Sequence, residues 1–378
     1  MTASVTAFID ITEEEQAQEL KDYLTSLGAS FDETTSGEVD VAKIIQAVAN
    51  SFSICMAKAS DEDAESVLNC VLSFSFMLKQ DEFLSVLRSL TRELSSNITT
   101  ENRHSRFQLL NILYAAMDEK CPVRLDVWIA LLRLSVDLNS TLTVPVSLKK
   151  LNGWLTVWKT EKTKAREAYH VLHKTLRHYK KKEASDVQVD LLRTYSADEL
   201  PTASADAHQC IIDAVADPEA LLLDHLLVLL PIEALKGTEV HELLKIFVSG
   251  TLSDYITFYA EHQTFIESEG LSHEKNLKKM RLLTIISLAA SSSEVTFEQI
   301  APQLKLEEDK IEEFVINGIR AKLIGAKINQ VEKKVQFTSL MHRQFDRQQW
   351  ESLNSRLNAW KMNISKVFGS IKSVVGLT

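Results

Sequence analysis

Apolar residues recur at helical spacing along most of the chain. Between residues 39 and 137 the spacing is clearest in three stripes: Val67, Val71, Phe74 and Leu78; Phe83, Leu87, Leu90 and Leu94; and Leu109, Ile112, Leu113 and Ala116. Steps of three and four residues place such side chains on one face of an α-helix. Because the polar gaps between stripes are short, successive helices must bury those faces against their neighbours. The pattern predicts a mainly α fold, a helical-repeat solenoid of the TPR or HEAT kind, with an irregular helical bundle as the alternative.

Local signals bound some of these helices. Thr12 is followed by Glu15, the spacing of a capping box at the start of a helix. Residues 29–38 are small, polar and acidic, which predicts a linker. Further along, residues 220–231, ALLLDHLLVLLP, are too apolar for a surface. We expect them to form a buried helix that ends at its proline.

One stretch near the C-terminus has the period of strands instead. In residues 323–337, LIGAKINQVEKKVQF, apolar side chains alternate with polar ones on both sides of a charged turn. Such alternation is typical of a half-buried β-hairpin. The open edge of a small sheet pairs readily with a strand of another chain. The hairpin is therefore a candidate sheet-edge interface, formed by Ile324, Ile328, Val335 and Phe337.

The elements before the hairpin follow a specific order. A helix from Asn276 to Ala290 precedes a short strand at Val295–Phe297, a short helix and a longer helix over 307–322. With the two strands of the hairpin, this order predicts a winged helix. Winged helices often bind DNA through their second helix, but here that helix begins with acidic residues, Glu307, Glu308, Asp309, Glu312 and Glu313. Since these carboxylates repel phosphates, a nucleic-acid-binding winged helix is the less favoured alternative.

A stripe of apolar residues continues to the C-terminus. Its members alternate steps of three and four: Trp350, Leu353, Leu357, Trp360, Ile364, Val367, Ile371 and Val374. This is a heptad seam of about 36 Å along one helix. The positions between are mostly Gln, Asn, Ser, Lys and Arg, so only one face is apolar. A single helix cannot bury such a face on itself, and the seam is a candidate interface with a bundle of partner helices.

Charge is concentrated between residues 149 and 182, where cations greatly outnumber Glu161 and Glu167. Trp154, Trp158 and other aromatic residues are interleaved with these cations, a composition found on RNA-contacting surfaces. The aromatic residues also fit a helical stripe, so a solvated basic face is the competing interpretation. The three consecutive lysines that end the segment are the candidate contact: Lys180, Lys181 and Lys182.

Overall composition narrows the class of protein. The 378 residues carry a net charge of −10, which disfavours a general nucleic-acid coat. No run of about 20 apolar residues is present to cross a membrane. The four cysteines are scattered, as in proteins of a reducing compartment. There is no glycine-rich phosphate loop and no Gly-x-Ser-x-Gly elbow, and Lys174 and Arg177 crowd the neighbouring His170 and His173. We predict no catalytic, cofactor-binding or metal-binding residue, and no enzyme activity.

Several stretches carry a resemblance that runs collinearly along the chain: AFIDITEEEQAQEL, DPEALLLDHLLVLLPIEAL, HELLKIFVSGTLSDYITFY, KMRLLTIISLA and QQWESLNSRLNAWKMNISKV. In these stretches, and in a helical array that runs into a winged helix, the chain resembles the PCI-domain family. Members of that family are scaffold subunits of the proteasome lid, the signalosome and eukaryotic translation initiation factor 3. The stretches are most similar to the initiation-factor members.

The resemblance implies a domain organisation and a function. Residues 1–175 would form the helical repeats, 176–340 the PCI domain with its winged helix from 274, and 341–378 a bundle helix. The chain would be a cytoplasmic, non-catalytic subunit that binds other PCI-type subunits. Through its complex it would reach the small ribosomal subunit and support the recruitment of messenger RNA and initiator tRNA. A subunit of a proteasome-lid or signalosome complex is the alternative.

Overall fold

The computed structural model describes residues 12–31, 41–96, 98, 102–138, 146–158, 160–177, 181–344 and 347–375. By packing, the chain divides into two compact units, Met1–Thr194 and Tyr195–Thr378. Helices dominate both units, and the short strands all lie in the second. The mainly α fold class, a helical array followed by a winged-helix module and a long C-terminal helix, is confirmed.

The first unit is built from helices alone in its described part: α1 (Glu13–Ser26), α2 (Val41–Asn50), α3 (Phe52–Lys58), α4 (Asp61–Ser75), α5 (Gln80–Ser95), α6 (Arg103–Ala116), α7 (Arg124–Leu138), α8 (Leu148–Trp158), α9 (Lys162–Leu176) and α10 (Lys181–Arg193). Near neighbours in sequence pack together, as α6 with α7, α7 with α9, and α9 with α10. The predicted capping box is present, since Glu15 and Thr12 exchange hydrogen bonds at the start of α1.

The second unit begins with a short 3₁₀ turn, Ala197–Glu199, and continues with α11 (Leu200–Ala216), α12 (Asp224–Leu227), α13 (Leu230–Glu233), α14 (Glu239–Ser249), α15 (Leu252–Glu261), α16 (Gln263–Ser268), α17 (His273–Ser291), β1 (Glu294–Thr296), α18 (Phe297–Leu304), α19 (Glu308–Arg320), β2 (Ile324–Asn329), β3 (Lys334–Leu340) and α20 (Arg347–Val375). From α17 to β3 this is the winged helix predicted from the order of the elements. Its core includes Met280, Leu283, Ile300 and Val315.

The three strands form an antiparallel sheet in the order β1-β3-β2. The hairpin β2–β3 contains an irregularity between Gly325 and Ala326. A larger residue at position 325 would be crowded, since a Cβ there would lie 2.3 Å from the Oγ of Ser339 and 3.0 Å from the Oγ1 of Thr338. The short strand β1 covers the other side of β3, pairing Val295 with Val335.

Buried cations close the C-terminal ends of several helices, where backbone carbonyls have no partner within the helix. Arg106 is fully buried, and its guanidinium donates to the carbonyls of Glu93, Leu94 and Ser96 at the end of α5. In the second unit Lys279 donates to three carbonyls of the α11 terminus, those of Ala214, Val215 and Asp217. Arg106 thus joins two consecutive helices, whereas Lys279 joins helices that lie 62 to 65 residues apart in sequence.

The apolar run 220–231 does not form the buried helix that its composition suggested. It contains two four-residue helices, α12 and α13, and Pro231 lies within the first turn of α13 instead of ending a helix. Val228 is 82% exposed, and Leu230 is also on the surface. Leu229 is extended, with ψ 126°, and Pro231 has no N–H to donate to the carbonyl of Leu227, so α12 cannot continue into α13.

The boundary between the two packing units, at residues 194 and 195, does not test the predicted domain limits. Position 175 falls inside α9, within the first unit, so the limits 1–175, 176–340 and 341–378 stay predictions. The predicted linker 29–38 lies mostly outside the described residues. Of its first residues, Ala29 is buried.

Candidate partner-binding surfaces

The apolar seam of the C-terminal helix is exposed along its described length. Helix α20 runs without interruption from Arg347 to Val375. Seven seam side chains have exposed fractions between 36% and 68%: Trp350, Leu353, Leu357, Trp360, Ile364, Val367 and Ile371. The side chain of Val374 lies outside the described residues. A continuous apolar face of this length is typical of a surface that another helix covers.

The seam is wider than the strict heptad positions. Phe368 is 59% exposed and follows the seam residue Val367 directly. Four residues after Ile364, it lies beside that side chain on the helix surface. Phe368 was not among the predicted seam residues, because it lies beside the single line of steps of three and four that defines them. Its aromatic ring adds a large apolar area to the same face.

A buried arginine holds the segment from which α20 begins. The guanidinium of Arg343 donates to the carbonyls of Ile246, Phe247 and Gly250, at the C-terminal end of α14. It also lies 3.4 Å from the Oγ of Ser287 on α17. Burial lowers the pKa of Arg343 to about 10, so the group remains a cation at neutral pH. The start of α20 is thus attached to the helical part of the second unit.

The strand order changes which residues can form a sheet-edge interface. Val335 and Phe337 belong to β3, the central strand, and both side chains are buried. Of the four candidates, only Ile324 and Ile328 lie on β2, the longer of the two edge strands. Ile324 is buried and Ile328 half-buried. The interface itself stays a prediction, narrowed to the backbone edge of β2.

Hydrogen bonding in the sheet identifies the free groups of that edge. The N–H of Phe337 donates to the carbonyl of Ser293 on the β1 side. Successive residues of a strand point their N–H groups to opposite sides, so the N–H of Gln336 points towards β2. The backbone N–H groups of Gln336 and of its register partner Lys327 therefore lie between the two strands. The N–H groups of Ala326 and Ile328 therefore point away from β3. They are available to an added strand.

Helix α19 presents carboxylates where a DNA-reading winged helix would face phosphates. Lys310 pairs with Glu307 at 2.8 Å, and Lys333 of the hairpin pairs with Glu308 at 2.9 Å. Asp309 and Glu313 are not matched by such a pair among the described residues. The acidic start of this helix remains unfavourable for binding a duplex.

The aromatic residues of the basic segment serve packing. Trp154 lies edge-on to Trp128, with ring centroids 5.8 Å apart, and is stacked on Trp158. Tyr169 is buried and donates to the Oδ1 of Asn152 at 2.8 Å. Trp154 and Trp158 are half-buried, and these contacts favour a packing role for the rings over a stacking platform for bases.

The lysines proposed for contact fall at the edge of the described part. Lys180 and the side chain of Lys181 lie outside the described residues, while Lys182 is exposed on α10. Two other cations of the segment are engaged, since Lys164 pairs with Asp126 and Arg166 donates to Thr194. The contact through Lys180–Lys182 stays a prediction.

Within the part of the chain that the structure describes, no group of three His, Cys, Asp or Glu side chains is placed to hold a metal ion. The cysteines are free thiols, and burial raises the pKa of Cys55 to about 11. A thiol with such a pKa is a poor nucleophile at neutral pH. None of the helices in the described ranges is long and apolar enough to span a membrane.

Two family models match the second unit. The model "PCI domain" matches residues 259–339, which cover the end of α15, α16 and the winged helix. The chain thus carries a PCI domain. The model "eIF3 subunit M, C-terminal helix" matches residues 343–371, from the buried arginine to the end of the exposed seam.

Curated relatives match the whole chain. Proteins named eukaryotic translation initiation factor 3 subunit M from Xenopus laevis, Mus musculus and Homo sapiens are each 40% identical over 375 residues. The matches cover 98% of this chain and 99% of each relative. The chain belongs to the eukaryotic translation initiation factor 3 subunit M family.

Proposed function

We propose that this chain is a non-catalytic structural subunit of translation initiation factor 3, joined to its complex mainly by the exposed face of α20. Within that complex it supports the recruitment of messenger RNA and initiator tRNA to the small ribosomal subunit in the cytoplasm. The observation that carries the proposal is the uninterrupted apolar face from Trp350 to Ile371. The family model for the C-terminal helix of subunit M matches residues 343–371, which include most of α20. This match supports a role for α20 that is characteristic of the subunit.

The expected partners are other PCI-type subunits of the same complex. A partner helix with its own apolar seam would cover Trp360, Ile364 and Val367 by knobs-into-holes packing. A partner strand would pair with β2, where the N–H groups of Ala326 and Ile328 point outward. Contact with the small ribosomal subunit would then be made through the complex, and no membrane or cofactor is involved.

Co-purification tests this function against its alternatives. A tagged full-length chain is isolated from cytosol under gentle conditions, and its companions are identified by mass spectrometry. We expect initiation factor 3 subunits in equal amounts, with small-subunit ribosomal proteins present at lower ionic strength. Recovery of proteasome-lid or signalosome subunits, or of chromatin proteins, in place of these would contradict the proposal.

A proline on β2 tests the sheet-edge contact. Ala326→Pro removes one outward N–H without removing a hydrogen bond to β3, so the chain should fold. An added strand would lose one backbone hydrogen bond to β2, and the proline ring would keep it from approaching closely. We therefore expect association with the partner subunit to weaken about tenfold. Binding is measured by titrating the purified partner subunits against the labelled full chain.

The neighbouring residue provides the control for this substitution. Lys327→Pro removes an N–H that faces β3, so it should lower the free energy of unfolding of the winged helix itself. A folded Ala326→Pro variant that binds partners with unchanged affinity would show that the β2 edge is not an interface.

A further inference from the structure

A cleft in the first unit combines an apolar floor with a cationic rim. Its volume is about 280 Å³, and it lies between α5, α7 and α9. Ile129, Ala130 and Leu134 of α7 form the floor. Arg88 and Arg92 stand on the α5 side, four residues apart and so next to each other on the helix surface.

The carboxylates that line this cleft are already paired. Glu167 forms an ion pair with Arg133, and Asp126 pairs with Lys164 at 3.0 Å. The two arginines of α5, Arg88 and Arg92, form fewer and longer polar contacts than these pairs. Among the described residues, Arg92 makes long contacts of 3.4 Å with Glu93 and Asn50.

The cleft carries an excess of positive charge because of Arg88. Its guanidinium has no hydrogen bond or ion pair among the residues that the structure describes, and the side chain is exposed. This local excess lies in a chain whose net charge is −10. The cleft is therefore complementary to an anionic ligand.

The lining favours an acidic peptide over RNA. Single-stranded RNA is bound by basic grooves that also carry aromatic rings for the bases, and no Phe, Tyr or Trp is among the described residues that line this cleft. Ile98, an apolar side chain that follows the end of α5 and is 38% exposed, also lines the cleft. A peptide that alternates carboxylates with aliphatic residues matches both features.

We propose that this cleft docks an acidic, leucine-containing peptide segment of a partner protein. Carboxylates of the peptide accept hydrogen bonds from Arg88 and Arg92, each guanidinium being able to bind one carboxylate in a bidentate manner. An aliphatic side chain of the peptide covers Ile98 and the floor of the cleft. The site uses no residue of α20 or of the sheet edge.

The test measures binding of two probes to the full-length chain by fluorescence anisotropy. One probe is a labelled short peptide of glutamate and leucine residues, and the other is a labelled uridine oligonucleotide. The double variant Arg88→Glu with Arg92→Glu should weaken peptide binding at least about tenfold, because it replaces both donors by repelling charges.

A charge-matched control separates the cleft from the general field of the protein. The double variant Lys79→Glu with Lys120→Glu changes the net charge equally at two exposed positions away from the cleft. It should alter peptide binding by less than about twofold at physiological salt, where distant exposed charges are screened. Far-ultraviolet circular dichroism and thermal melting establish that both variants are folded, and the milder pair Arg88→Gln with Arg92→Gln replaces the first if it is not.

Three results would overturn the proposal. The first is failure of the wild-type chain to bind the peptide at any accessible concentration. The second is an equal loss of affinity in the two double variants, which would assign binding to net charge alone. The third is tighter binding of the oligonucleotide than of the peptide, lost on the Arg88→Glu and Arg92→Glu changes, which would make the cleft a nucleic-acid site.

Discussion

Truncation after Lys361 is expected to leave a soluble, folded chain that no longer joins its complex. The deletion removes the second half of the exposed seam, including Ile364, Val367, Phe368 and Ile371. These side chains are exposed in the chain itself, so their loss costs little of its own stability. Each would contribute roughly 1.5–3 kcal/mol when buried against a partner. We therefore expect affinity for the partner subunits to fall at least about 1000-fold, as measured by co-purification and by titration.

Point substitutions test the same face without shortening the helix. Ile364→Asp with Val367→Asp places two charges on the seam and should abolish assembly. Met362→Asp with Lys366→Asp adds two carboxylates on the other side of the same turns and should leave assembly unchanged. Equal effects of the two pairs would show that helicity or net charge, and not the seam, governs the association.

Arg343→Met is expected to cause the largest loss of stability among the substitutions considered. The methionine fills similar space but leaves the carbonyls of Ile246, Phe247 and Gly250 without their buried donor. Buried acceptors that lose a partner cost about 1–3 kcal/mol each, and partial access of water reduces the sum. We expect the free energy of unfolding of the second unit to fall by about 3 kcal/mol in urea titrations of the full chain.

A nearby arginine supplies the control. Arg347 lies four residues later, its side chain is 93% exposed, and it pairs with Glu351 at 2.9 Å. Arg347→Met should change the free energy of unfolding by less than about 0.5 kcal/mol. Arg343→Lys keeps the charge, but an ammonium group cannot donate to several carbonyls at once as the forked guanidinium does. Its loss of free energy of unfolding should therefore lie between those of Arg343→Met and Arg347→Met. Similar unfolding midpoints for Arg343→Met and the wild type would show that this anchor is not structural.

The parts of the fold that the sequence predicts best are those set by local spacing. The seam of α20 follows from steps of three and four residues, because a helix places such residues on one face whatever surrounds it. The capping box at Thr12 and the order of elements in the winged helix are local in the same sense. Phe368 could have been found by allowing one further position beside the seam.

The features that sequence analysis missed depend on contacts between distant residues. The position of β3 in the centre of the sheet depends on its pairing with β1, a strand of only three residues. Arg343 gives no signal of its own, since the carbonyls that it binds lie more than 90 residues earlier in the chain. The exposure of Val228 likewise depends on tertiary packing, which the apolar composition of its surroundings does not reveal.

Site-specific photo-crosslinking in the assembled complex tests most directly whether the seam of α20 is the surface by which this chain is held. A photoreactive phenylalanine derivative is placed at Ile364, on the seam, or at Lys366, on the opposite face of the same turn. Crosslinked partners are then identified by mass spectrometry. We expect efficient crosslinks from position 364 to a helix of another subunit, and few from position 366. Crosslinks from position 366 alone, or from neither position in a complex that contains the chain, would contradict this expectation.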